Sequence, residues 1–126
     1  MRDGGMENGA ASESGVPRRC TVPLETLLGR ISRHRVESTY IDRFLGEAFL
    51  PSLLADDASR SLLSMRHCAK EVSEAYGAAE QVVAILRAHG VCVVSGGGEG
   101  AVVLDICCGK GLTGLLLSCM LPRAQI

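Results

Sequence analysis

Aromatic residues are nearly absent from this chain: two Tyr, two Phe and no Trp among 126 residues. Hydrophobic residues still make up 47% of it, which argues against wholesale disorder and requires a core of Leu, Val, Ile and Ala. A surplus of charge is missing too. Thirteen Lys and Arg stand against fourteen Asp and Glu, a net charge of −1. The composition therefore lacks the basic excess that wraps nucleic acid. The opening MRDGGMENGA has no apolar segment, so neither a secretory leader nor an oxidising compartment is implied. The longest apolar run, Leu115–Leu121 interrupted by Ser118, falls far short of the ~20 residues of a membrane span. A soluble, cytoplasmic or nuclear protein without a membrane partner is expected. Cys20, Cys68, Cys92, Cys107, Cys108 and Cys119 form no CxxC or CxxH pair. They read as free, buried thiols, and no metal site is expected.

Three regions follow from the pattern. Residues 1–20 are rich in Gly, Ser, Glu and Asn and read as a disordered tail. Residues 21–90 read as helical. Leu24, Leu27, Leu28 and Ile31 recur at helical spacing behind Thr21 as N-cap and Pro23 in the first turn. A second helix is expected through Ile41, Phe44, Leu45 and Ala48, ended or kinked by Pro51. The third is long: Met65, Ala69, Val72, Tyr76, Ala79, Val83 and Leu86 alternate steps of four and three. Gly77 interrupts that stripe at a cost of about 1 kcal/mol, which packing must offset. His89 and Gly90 supply its C-terminus. Leu24, Leu28, Ile31, Phe44, Val72, Tyr76, Val83 and Leu86 are expected to be buried together.

Beyond Gly90 the period changes. Val91–Val94 is a short β-branched run and the Gly96–Gly100 cluster a flexible loop. Ala101–Cys107 reads as a buried parallel strand. A glycine turn, a helix over Leu112–Leu121 and a strand beginning at Ala124–Ile126 complete the opening of a βαβ unit. Residues 91–126 are thus expected to start an α/β domain after the helical part.

The chemistry lies in Val102–Gly114, with the sequence VVLDICCGKGLTG. A strand feeding a glycine turn brings the backbone close to a ligand, and the next helix aims its free N–H groups at it. A P-loop is excluded, because Leu104 stands where its first Gly belongs and Gly111 where its Ser or Thr belongs. Gly109, Gly111 and Gly114 satisfy GxGxxG, but a dinucleotide reading leaves Asp105 unexplained. A plain packing turn with Asp105 as its cap is also compatible with these residues.

The run VVLDICCGKG resembles motif I of class I S-adenosylmethionine-dependent methyltransferases, and more narrowly the group with a DxxxGKG loop. In that group a helix bearing Lys, His and Glu often precedes the strand, as residues 65–74 do here. Cys107 stands where the first motif glycine is usual, and Thr113 where the narrower group often has Ser. The resemblance implies an incomplete Rossmann-like methyltransferase fold, with S-adenosyl-L-methionine as cofactor. It implies that Asp105 orients the methionine end, that the backbone of Ile106, Cys107, Cys108, Gly109 and Gly111 lines the cofactor, and that the helix from Leu112 faces its carboxylate. Later strands carry the ribose acid and the catalytic loop in that family. The chain stops at Ile126, so it is expected to lack the catalytic part, and no catalytic residue is assigned. The methyl acceptor is open between RNA, protein and small molecule, with no support for nucleic acid from net charge. The alternative function is a non-catalytic helical interaction module with a vestigial nucleotide-binding turn.

Overall fold

A computed structural model describes residues 22–35, 38–93, 97–106 and 108–126. The residues expected as a tail, the cap Thr21 and Cys107 lie outside these. The helices are α1 (Leu24–Ser32), α2 (Thr39–Leu45), α3 (Leu50–Ala55), α4 (Asp57–Leu63), α5 (Cys68–Ala88) and α6 (Leu112–Met120).

Local chemistry explains most of the boundaries. The Pro23 carbonyl accepts the first helical bond of α1 from Leu27 N–H at 3.1 Å. At the other end, the Ser32 hydroxyl bonds back to Leu28 O at 2.6 Å. α2 ends at Gly46. Pro51 neither ends nor kinks it: it occupies the first turn of α3, where a missing N–H leaves nothing unsatisfied. α4 is a helix that the apolar spacing did not reveal. The Asp56 carboxylate caps it, accepting from Ser59 N at 2.8 Å and Ser59 Oγ at 2.7 Å. These bonds hold the Asp56 carboxyl below its ordinary range.

The long α5 is the axis. Its buried positions Val72, Ala75, Tyr76 and Ala79 meet Leu27 and Ile31 of α1, Ile41 and Phe44 of α2, and Leu116 and Leu117 of α6 in one core. Of the eight residues expected in that core, Ile31, Phe44, Val72 and Tyr76 are buried. Leu28, Val83 and Leu86 are half-buried against it, and Leu24 is 43% exposed. Three of the four aromatics share the α2–α5 interface. The Phe44 and Tyr76 rings meet edge-on at 6.3 Å, and Tyr40 tilts against Tyr76 at 6.4 Å. The Tyr76 hydroxyl donates to Glu47, and burial with this bond raises its pKa. Arg43 bridges to Glu80 at 2.6 Å across the exposed rim of the same interface, which adds little to stability.

Gly77 is explained by that interface. A Cβ there would lie 3.1 Å from Cε2 and 3.2 Å from Cζ of Tyr40, so the glycine lets the ring lie on the helix. Two terms then oppose each other in Gly77→Ala: about 1 kcal/mol of helix propensity gained and crowding of the Tyr40 ring. The substitution is expected to be near neutral in the native background and stabilising by about 1 kcal/mol when combined with Tyr40→Ala. A urea-denaturation double-mutant cycle measures that coupling, and equal effects in both backgrounds would refute it.

The expectation of an α/β, Rossmann-like fold is incorrect. Among the described residues there is no strand and no sheet, only an isolated parallel bridge between Val102 and Gln125. It consists of Val103 N donating to Gln125 O at 2.8 Å and Gln125 N donating to Ala101 O at 2.9 Å. Nor is the segment before the glycine turn buried on both faces: Ala101 is buried and Val103 half-buried, but Val102, Leu104 and Ile106 are 62%, 79% and 89% exposed. A parallel strand is buried by neighbouring strands and by helices on both faces, and here one residue pair supplies all the pairing. Val91–Val93 likewise forms no strand. In the glycine-rich stretch, Gly98 is buried against Leu121 and Ala124, unlike a loop tip in solvent. Among the described residues, no helix is long and apolar enough to cross a membrane.

Candidate functional site

The glycine turn joins the extended segment 101–105 to α6. Gly109 and Gly111 have φ of 52° and 79°, the left-handed region that side chains with a Cβ disfavour. At Gly111 nothing lies within 4 Å of where a Cβ would be. Backbone conformation, not crowding, therefore demands glycine at this position. Gly111 N donates to Cys108 O at 2.6 Å, closing the turn, and Leu115 N donates to Gly111 O at 3.0 Å, opening the helix.

Gly111 is the N-cap of α6, and no side chain caps that end. The first-turn N–H groups and the positive end of the helix dipole are thus left for solvent or a ligand. Asp105 precedes the turn. Its Oδ2 is shielded from solvent and has no hydrogen-bond partner among the described residues. An acceptor left in this state costs about 1–3 kcal/mol, and a donor from outside the chain would relieve it. The turn therefore pairs an acceptor wanting a donor with a helix end wanting an anion. An amino acid carries both groups.

Of the sequence-derived site residues, Ile106, Cys108 and Gly109 are exposed and Gly111 half-exposed, while Cys107 lies outside the described residues. The turn lines neither of the two described cavities. Lys110, whose side chain is 48% exposed, pairs with Glu71 of α5 at 3.5 Å. No pattern in the sequence announced that link. It ties the turn to the N-terminal end of α5, while Cys119 and Met120 share a cavity wall with Val83 and Ala84 further along. α5 and α6 therefore run side by side in the same direction.

The cysteines divide by environment. Cys92 and Cys108 are exposed, against expectation, whereas Cys68 is buried. Burial pushes the Cys68 thiol up to about 11, opposed by the Arg30 cation. At pH 8 iodoacetamide is expected to modify Cys92 and Cys108 rapidly and Cys68 only after denaturant is added. Peptide-resolved mass spectrometry reads the three separately, and early labelling of Cys68 would refute its burial.

Comparison with protein-family models, curated proteins and solved structures yields no match for the chain.

Proposed function

We propose that the turn from Asp105 to Gly111 binds S-adenosylmethionine and that the protein functions in S-adenosylmethionine-dependent methyl transfer. The observation that carries this reading is Asp105 Oδ2, shielded and without a partner, at the entrance to a turn with two left-handed glycines. Asp105 would accept from the ammonium of the methionine end. The backbone of Ile106, Cys107, Cys108, Gly109 and Gly111 would line the ligand. The uncapped start of α6 would face the carboxylate, as helix N-termini do for anions. The cofactor, when bound, supplies an electrophilic methyl group.

Isothermal titration with S-adenosylmethionine tests the reading. Saturable binding is expected, weakened at least about tenfold, or ~1.4 kcal/mol, by Asp105→Ala. Asp105→Asn, which keeps an acceptor oxygen and loses the charge, is expected to fall between the two. Circular dichroism of each variant checks that the helices persist. No heat at millimolar ligand, or equal affinity for Asp105→Ala, would overturn the proposal.

A further inference from the structure

A cavity of about 1100 Å³ opens where the C-terminal half of α1 faces the start of α5. Arg30, Arg33, Arg66 and Lys70 contribute four cationic side chains to its wall, and Glu74 is the one carboxylate among the described lining residues. The chain as a whole carries −1, so positive charge is segregated into this region. Segregation has an energetic cost, since like charges held on facing elements repel.

Compensation among the described residues is slight. Glu74 pairs with Lys70 at 3.5 Å. Arg30, Arg33 and Arg66 take part in no ion pair among the described residues. Arg33 uses its Nε to hold Gly29 O at 3.2 Å, which leaves its terminal nitrogens for other acceptors. Ser38 and Ser73, whose hydroxyls lie 2.6 Å apart, add small polar groups to the same wall. Among the described lining residues the aromatic rings are the imidazoles of His34 and His67, with no Phe or Tyr beside them.

We propose that this cavity binds a ligand through its phosphate groups. Guanidinium groups meet phosphate oxygens through paired hydrogen bonds. Three arginines spread around a space of this size suit two or more phosphates better than a single carboxylate. The phosphates belong either to a nucleic-acid strand or to a free polyphosphate compound, and both present the same chemistry to the wall. The inference stands on the cavity alone and is independent of the methyl-donor reading.

Fluorescence anisotropy with a labelled 12-nucleotide RNA, and calorimetry with inorganic pyrophosphate, test it at low salt. Binding of at least one probe is expected. The double substitution of Arg30→Ala with Arg66→Ala should weaken it at least tenfold and flatten its salt dependence. Both side chains are exposed, so the fold should survive, as circular dichroism will show. Arg87→Ala, on the far end of α5, should leave binding unchanged. RNA binding that pyrophosphate displaces only weakly identifies the strand as the source. Pyrophosphate binding without RNA binding identifies a free phosphate compound. The proposal is overturned if neither probe binds, if the double variant binds as well as the native chain, or if poly-glutamate competes as well as RNA.

Discussion

Phe44→Ala is expected to lower the free energy of unfolding by about 3–5 kcal/mol, the usual cost of emptying a large aromatic site in a core. Phe44 is fully buried and meets Tyr76 edge-on at 6.3 Å. Its neighbours cannot readily fill the space, because the core has few large side chains: the whole chain holds two Phe, two Tyr and no Trp. Domains are stable by about 5–15 kcal/mol in total, so this one substitution removes a large share. Urea denaturation followed by circular dichroism gives the number. A loss below about 1 kcal/mol would mean that the α2–α5 interface does not hold the fold together.

Leu116→Ala should cost about 2–5 kcal/mol by the same cavity argument, with a different distribution over the molecule. Leu116 is fully buried, but α6 is short and hydrophobic contact with α5 is its main attachment, beside the exposed Lys110–Glu71 pair at 3.5 Å. A nine-residue helix has no independent stability. Hydrogen exchange should therefore quicken first across Leu112–Met120 and leave Val72–Ala79 protected, as expected of a separable cooperative unit. Uniform loss of protection across α5 and α6 would show that the two helices unfold together.

The sequence made the helical half readable, and the reasons are physical. The α5 stripe is long enough for periodicity to dominate, and its end at His89 and Gly90 follows from cap chemistry. The short α4 escaped because seven residues carry too little periodicity, although Asp56 with Ser59 three positions on was a cap signal in plain sight. Pro51 was misplaced because proline marks both the end of one helix and the start of the next. The strand reading failed for a different cause. The mostly apolar run at 102–106 gives the composition of a buried strand, but burial needs partners from elsewhere, and among the described residues Gln125 alone pairs with this segment. At the turn, the need for glycine at 109 and 111 was legible because positive φ leaves few alternatives. The unpartnered Oδ2 of Asp105 and the Lys110–Glu71 pair were not, since both depend on how α5 and the turn meet in space. The net charge of −1 also hid the basic cavity, because a total says nothing of segregation.

The glycine turn is proposed to bind S-adenosylmethionine, and an amide-resolved NMR titration of the chain with that ligand reads the contact residue by residue. Saturable shifts confined to Asp105–Gly114 and the first turn of α6, abolished by Asp105→Ala, are the predicted result. Shifts absent at millimolar ligand, or confined to residues around Arg30 and Arg66, would contradict it.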